Sequence, residues 1–364
     1  MNKKESYSIY KYMKETAKVV DKVSADGFNY LKNSDINWRK HKTKLYSSVS
    51  HLVLLRKGEK ARQTLVRLAF EAVSTKDWKK DHIVPSIASS IEILSTSTYV
   101  IDDILDHQPE RYGNASTWKM FGINLGILAG YLQDNIAREV LRKGIESLDD
   151  KIKVKILDLY ADIIRQVNEG QVLNEFMKEE TIVDEYLDRT YKACGTHFEN
   201  PAVMAGLAGN ATEKELKLLK EIGRNIGIAY WIRNDLFNYI PQEIIIKRNS
   251  KALRRTSYED LKKGIWTYPI IWLMDHGIKE DKDKIKNMLG KEKITSKMLI
   301  EATKILIKSG AAMATIEFMN KYRKEARKNI KKLKESRAKR LLFIYDNMFD
   351  NAQEYVDEFK NIFM

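Results

Sequence analysis

Apolar residues recur at helical spacing along most of the chain. Leu65, Leu68, Ala69 and Ala72 form one such face, and Ile87, Ile91, Leu94, Thr98 and Ile101 form another. Alternating apolar and polar runs bounded by turn residues, the mark of strands, are nearly absent. The chain has five prolines and 17 glycines, so the residues that interrupt helices are scarce. The pattern predicts an all-α fold of roughly ten to thirteen helices at the usual helix length. No Gly-, Ser- or Pro-rich linker divides it and no fixed-period repeat runs through it. One helical domain over residues 1–364 is expected, with an N-terminal helical extension over 1–45 and basic C-terminal helices over 320–364. Residues 241–258 break the pattern, being polar, basic and irregular. They predict a loop, and loops that follow ligand-bearing helices often close over a site.

Composition keeps this picture within ordinary globular chemistry. Apolar residues make up 43% and charged residues 31%, enough to bury a core in 364 residues without staples. A single cysteine, Cys194, allows no disulfide within the chain and points to a reducing compartment. Residues 1–15 are polar and charged, and no apolar run follows that would serve as a signal peptide or membrane span. A cytoplasmic location is the expectation. The formal net charge is +14, and residues 321–340 alone hold eleven Lys or Arg against two Glu. That run reads as a solvated helix face, or as a peripheral contact with an anionic membrane surface. With no recognition motif of interleaved aromatics, nucleic acid is not an expected partner.

The candidate chemistry lies in two helix ends. A mostly apolar segment starting at Ile91 finishes in Asp102, Asp103 and Asp106. Asp102 and Asp106 are four apart and share one helix face. Carboxylates crowded there repel one another unless a cation joins them, and anions sit badly at a helix C-terminus. Magnesium takes oxygen ligands and completes its shell with substrate phosphate, so a diphosphate held through magnesium fits the cluster. The alternative is an acidic helix end facing water. Arg111, a few residues on, is a candidate diphosphate partner in bidentate geometry. A second cluster holds Asn234, Asp235 and Asn238, which is a weaker metal half-site because amides bring no charge; plain hydrogen-bonding polar residues remain the alternative. The histidines His41, His51, His82, His107, His197 and His276 lack zinc spacing, and there is no phosphate loop or dinucleotide fingerprint. Cys194 reads as packing.

Taken together these segments resemble the trans-isoprenyl diphosphate synthases, which share a helical fold with class I terpene synthases. Asp102-Asp-Ile-Leu-Asp106 resembles the first aspartate-rich motif, and Arg111-Tyr-Gly-Asn-Ala-Ser116 follows where the family usually has Arg-Arg-Gly-x-Pro-Thr. Residues 121–130, Glu169-Gly-Gln171, Gly195-Thr-His-Phe198, Asn234-Asp-Leu-Phe-Asn238, Asp260-Leu-Lys-Lys-Gly264 and Thr267-Tyr-Pro269 come in the family's order. The resemblance runs from about Lys57 to Pro269. It implies a helical bundle around a central active-site cavity and an allylic prenyl diphosphate substrate. It also implies magnesium, three ions with the diphosphate, with manganese as a substitute. The metal ligands would be Asp102, Asp103, Asp106, Asn234, Asp235 and Asn238, and Asp102, Asp103, Asp106 and Arg111 would carry the catalysis. A homodimer is implied as well.

The departures bear on the reaction. Lys57-Gly-Glu-Lys-Ala-Arg-Gln63 stands where the family has Gly-Gly-Lys-Arg-Leu-Arg-Pro, so the lysine is replaced by Glu59 while Arg62 is kept. The usual histidine on the helix before the aspartates is Ser95, and the second arginine of the Arg-Arg pair is Tyr112. Three of four isopentenyl diphosphate contacts are thus replaced, unless Lys60 reaches in. A glutamate in a diphosphate pocket repels the ligand. On the allylic side, Ala193 stands for the usual lysine with Lys192 beside it, and Trp231 stands for a glutamine. The second motif is as close to the Asn/Ser/Glu motif of terpene synthases as to the synthase form; its final glutamate would fall at Gln242, one place from Glu243. Arg189 lies near the spacing of a diphosphate-sensing arginine in terpene synthases, although a surface arginine fits equally. Lys60, Arg62, Arg111, Arg189, Lys192 and Arg255 are the candidate substrate cations. Tyr99 and Trp231 are aromatic candidates for facing a carbocation, or are plain core. The lost contacts favour a terpene synthase that ionises one prenyl diphosphate. Chain elongation is the alternative, followed by prenyl transfer to another acceptor and a non-catalytic subunit. Small Ser97 and Thr98 before the first motif suggest, by analogy, a substrate of fifteen to twenty carbons.

Overall fold

The computed structural model describes residues 3–33, 39–55, 60–178, 180–247, 258–291 and 294–364. The fold is all-α, with one two-residue hairpin. In chain order come α1 (Lys3–Asn33), α2 (Arg39–Leu55), α3 (Ala61–Val73) and α4 (Ile83–Leu105), then strands β1 (Glu110–Arg111) and β2 (Asn114–Ala115). These are followed by α5 (Thr117–Phe121), α6 (Ile123–Gly144), α7 (Asp150–Phe176), α8 (Val183–Thr190), α9 (Thr196–Ala208) and α10 (Glu213–Asn238). The rest are α11 (Gln242–Lys247), α12 (Glu259–Lys263), α13 (Tyr268–His276), α14 (Lys279–Lys286), α15 (Ser296–Lys308), α16 (Ala311–Lys331), α17 (Arg337–Asn347) and α18 (Ala352–Phe363). Among the described residues there are more helical segments than helical periodicity predicts, because five of them, α5, α8, α11, α12 and α14, span eight residues or fewer.

The described residues form two compact units. Unit 1 comprises Met1–Tyr160, Pro201–Lys217 and Leu333–Leu342, and unit 2 comprises Ala161–Asn200, Leu218–Lys332 and Phe343–Met364. In unit 1, α4 packs against α1, α3 and α6. Ile9, Tyr12, Val20 and Phe28 of α1 are buried, as are Leu65, Leu68, Ile87, Ile91, Ala137 and Leu141. Each large apolar side chain so buried contributes about 1.5–3 kcal/mol.

The helix α4 is buried almost all round, although it is rich in serine and threonine. Its hydroxyls turn back onto the helix: Ser90 donates to the Ile87 carbonyl at 2.8 Å, Ser95 to Ile91 at 2.7 Å and Thr96 to Glu92 at 2.9 Å. Polar groups satisfied in this way cost little when buried. Pro85 is tolerated because it lies in the first turn, where the N–H has no helical partner. Gly130 of α6 lets the helices approach closely, since a Cβ there would stand 2.8 Å from the Ile101 Cδ1.

In unit 2 the core gathers Tyr186, Ile228, Ile232, Leu236, Ile270, Leu273, Leu306 and Phe359. Part of the C-terminal basic run is interior and not a solvated face. Asp346 is fully buried and accepts from Arg323 at 3.2 Å and Arg327 at 3.0 Å. Burial pushes its carboxyl up, and the two arginines oppose that shift. Lys321, Lys324, Lys328 and Lys331 are exposed. Among the described residues no helix is long and apolar enough to cross a membrane.

Candidate active site

In unit 1 the end of α4 and the hairpin form one candidate cluster. Asp102 and Asp103 occupy the last turn of α4, and Asp106 caps it, its N–H bonded to the Asp102 carbonyl at 2.8 Å. The chain then turns back through β1 and β2. The two residues between the strands, Tyr112 and Gly113, have φ of 54° and 75°. Consecutive positive values are those of a type I′ turn, which suits the twist of a short hairpin; the tyrosine accepts roughly 1–2 kcal/mol of strain to adopt one. From α2, His51 Nε2 lies 2.8 Å from the Ala115 carbonyl and secures the hairpin.

This turn carries Arg111 back to the aspartates. Its Nε donates to Asp103 at 2.6 Å and its Nη2 to Asp102 at 3.0 Å. Asp103 is fully buried and Arg111 nearly so, while the Asp102 side chain is 29% exposed. Burial works against the guanidinium charge, but Asp103 and then Asp102 outweigh it and raise its pKa. Arg111 also lies over the Tyr99 ring, Cζ to centroid 4.8 Å, and Tyr112 meets that ring edge-on at 6.4 Å. Arg62 Nη1 donates to the Tyr99 hydroxyl at 2.9 Å. Sequence spacing does not reveal that Arg62, Tyr99, Arg111, Asp102 and Asp103 form one cluster.

Lys60 stands apart from that cluster. It is 1% exposed, and its ammonium is 2.5 Å from Glu92, which is fully buried, and 3.0 Å from Asp21. Gln63 also donates to Glu92. A lysine so engaged by two carboxylates is an internal ion pair, which corrects the idea that Lys60 reaches towards a substrate. Ser95 spends its hydroxyl on its own helix. Glu59 and Arg255 lie outside the described residues.

In unit 2 the second cluster ends α10. Asp235 is 5% exposed; its Oδ2 accepts from the Tyr186 hydroxyl at 2.8 Å and lies 3.9 Å from Arg189 Nη2. Burial first, then Asp235, raises the Tyr186 pKa, so the phenol stays a donor. Arg189 is 1% exposed, lies over the Tyr186 ring at 5.3 Å and donates to Asn174 at 3.1 Å. The surface-arginine alternative is therefore wrong: three residues from Tyr186, Arg189 turns inward with it. Lys192 is instead at the periphery, bonded to Asp188 at 2.8 Å, and belongs to a π-helical turn over Tyr191–Gly195. Such turns insert one residue and recur at functional sites. Gly170 packs under this turn, where a Cβ would stand 2.7 Å from the Ala193 nitrogen.

The three residues of the second motif differ in what their oxygens do. Asp235 serves Tyr186 and Arg189. Asn238 Oδ1 accepts the Asp260 N–H at 3.2 Å and its carbonyl accepts from the Tyr258 N–H at 2.5 Å, which ties α12 to the end of α10. Asn234 Oδ1 is buried and has no hydrogen-bond partner among the described residues. The Trp231 Nε1, one turn earlier, is in the same condition. A buried amide oxygen left unmatched costs about 1–3 kcal/mol unless a ligand meets it.

The residues present fit magnesium. All the donors are hard oxygens, and the unmatched Asn234 oxygen has room in its bonding for a cation. Among the described residues no three His, Cys, Asp or Glu side chains converge enough to hold a metal by themselves. Sequence reasoning missed Glu92, Tyr186 and Asn174. Glu92 alone left a signal, as a single acid within the apolar run of α4.

A helical scaffold carrying an acidic helix end clamped by an arginine, and an amide-rich helix end of the same kind, is that of the isoprenoid synthases. Residues 43–306 match the polyprenyl synthetase family, and the chain belongs to it. It is 28% identical over 266 residues to a short chain isoprenyl diphosphate synthase of Methanocaldococcus jannaschii, covering 72% of this chain and 76% of that one. It is 26% identical over 301 residues to a geranylgeranyl diphosphate synthase of Methanosarcina mazei, covering 82% and 86%. The crystal structure of geranylgeranyl pyrophosphate synthetase from Pyrococcus horikoshii superposes with a TM-score of 0.80 at 25% identity, over 94% of this chain and 98% of that one.

Proposed function

We propose that the protein is a chain-elongating prenyltransferase that joins an allylic prenyl diphosphate to isopentenyl diphosphate with release of diphosphate. The clamp of Arg111 on Asp102 and Asp103 carries the reading. It builds a cluster that is neither a bare acidic helix end nor a plain cation site, and a departing diphosphate needs both signs of charge. The names of the relatives support elongation over the terpene synthase that the replaced contacts suggested. We assign Asp102 and Asp106 of unit 1, and separately Asn234 of unit 2, as magnesium ligands. When bound, magnesium would neutralise the charge that grows on the leaving diphosphate. Arg111 donates to the same oxygens and, held charged by Asp103, loses little on reorganisation. As the allylic C–O bond breaks, the π electrons of isopentenyl diphosphate form the new C–C bond to that carbon. Loss of a proton from the adjacent carbon then restores a double bond and leaves a longer allylic diphosphate.

A second reading is ionisation without an acceptor. Ser95 and Lys60 favour it, since both spend their polar groups inside the protein. The deciding assay gives purified protein and magnesium geranyl, farnesyl or geranylgeranyl diphosphate, each with and without isopentenyl diphosphate. Longer diphosphates formed only with isopentenyl diphosphate are the expected result. Hydrocarbon or alcohol from one allylic substrate alone would overturn elongation. A substrate of fifteen to twenty carbons and a cytoplasmic site of action belong to the same proposal.

An amide brings no charge to a magnesium site, so Asn234→Asp should tighten binding. The magnesium concentration giving half the maximal thermal shift falls roughly tenfold in this variant. An unchanged midpoint would remove Asn234 from the ligand set. We also propose a homodimer through α6. Ile123, Ile127 and Tyr131 repeat every fourth residue on one face, 49%, 36% and 65% exposed, with Leu128 at 55% beside them. An apolar face of this kind is a usual mark of an interface. Tyr131→Glu with Ile127→Glu should bring the mass in light scattering from the dimer to 42.4 kDa. A dimer that survives both substitutions would place the interface elsewhere.

A further inference from the structure

We propose that the outer face of α16, in unit 2, docks the protein onto an anionic lipid bilayer. The helix sorts its basic residues by type. Arg323 and Arg327 turn towards the buried Asp346, which accepts from both. The lysines turn outward: Lys321, Lys324, Lys328 and Lys331 are exposed, as is Lys332 at the helix end. The first four recur at spacings of three and four, so they share one face, opposite the buried Met319, Ala326 and Ile330.

A solvated lysine face is ordinarily laced with acids. In this protein α14 is such a helix: four lysines stand among three acids, and Lys284 meets Glu280 at 2.6 Å. On the outer face of α16 five lysines stand against two acids, Glu317 and Glu325, which leaves five minus two, or three, positive charges along about 15 Å of helix. Like charges so spaced repel one another, and an extended anionic surface relieves that repulsion.

The rings beside the lysines select a bilayer. Phe318 and Tyr322 are half-buried, one turn apart on α16, and meet edge to face at 5.4 Å. Phe318 also stacks on the half-buried Tyr268 of α13 at 4.0 Å and 5°, and Lys321 Nζ lies 6.0 Å from the Phe318 centroid. Half-buried rings beside lysines suit the headgroup level of a membrane, where the ring meets the acyl boundary and the ammonium meets phosphate. Rings stacked on one another are poor platforms for nucleic-acid bases. The prenyl product proposed above also leaves water for a bilayer; that part of the choice rests on the elongation reading, and the lysine surplus does not.

Cosedimentation tests the surface, using the full-length protein without substrate and vesicles of phosphatidylcholine with or without phosphatidylglycerol. Wild type is expected on the vesicles that contain phosphatidylglycerol, and about 1 M salt, where the Debye length is about 3 Å, releases it. Lys321→Gln with Lys324→Gln and Lys328→Gln weakens partitioning roughly a hundredfold, about fivefold for each lysine. Lys279→Gln with Lys284→Gln and Lys286→Gln removes the same charge from α14 and leaves partitioning within about threefold. Absence of wild type from the anionic vesicles, or equal losses in the two triple variants, overturns the proposal. So does tighter binding to a single-stranded oligodeoxynucleotide that only the α16 variant loses, which would make the face a nucleic-acid site. Vesicle binding by a protein that fails to elongate leaves the surface standing, and elongation without vesicle binding removes the surface alone.

Discussion

Asp102→Ala lowers magnesium-dependent diphosphate release by roughly a thousandfold, whereas Asp103→Ala acts first on stability. The two neighbours differ in what they face. The Asp102 side chain is 29% exposed and shares only its Oδ2 with Arg111, leaving it able to meet a cation. Removing one preorganised charge partner from a transition state costs on the order of 10²–10³ in rate, and the loss of a metal ligand belongs at the upper end. Asp103 has no exposure, and its Oδ1 takes the Arg111 Nε at 2.6 Å. Deleting it leaves a nearly buried guanidinium with one partner in place of two. Breaking a buried pair from one side costs about 3–5 kcal/mol, which lowers the melting temperature by roughly 5 °C or more. Kinetics and thermal melts on both variants check this. Near-normal turnover in Asp102→Ala would refute the metal assignment, and an unchanged melting temperature in Asp103→Ala would show the pair to be weak.

Lys60→Met destabilises the protein by about 3–5 kcal/mol, and adding Glu92→Leu recovers most of the loss. The reason is again burial. Glu92 has no exposure, and without Lys60 it loses the ammonium that balances its buried charge. Replacing both charges with apolar groups of similar volume removes the desolvation cost together with the attraction. Asp21 is half exposed and returns to water. Chemical denaturation of the single and double variants measures the recovery. The double variant also decides what Lys60 does. As an internal partner it leaves the isopentenyl diphosphate KM within about threefold, a change no larger than slight repacking brings. A tenfold rise in the stable double variant would return Lys60 to the substrate.

The helix leading to Asp102 is legible because its periodicity is local: residues three and four apart meet whatever the rest of the chain does. The order of the motifs is legible for the same reason, and with it the family. The departures at Ser95 and Tyr112 are equally plain, but their meaning was open. Ser95 turns onto its own helix, and Tyr112 enters the left-handed region to complete the turn that returns Arg111.

By itself the sequence determined the helical class, the acidic and amide-rich helix ends, and membership of a diphosphate-handling family. Tertiary structure alone decided which charges are spent inside the protein and which remain for a ligand. Lys60 meets Glu92 across 32 positions, Arg62 meets Tyr99 across 37, and Tyr186 meets Asp235 across 49. A helical repeat specifies which face a residue occupies on its own helix. It carries nothing about which side chain of another helix stands opposite, and for a buried charge that partner decides between a structural pair and a binding group.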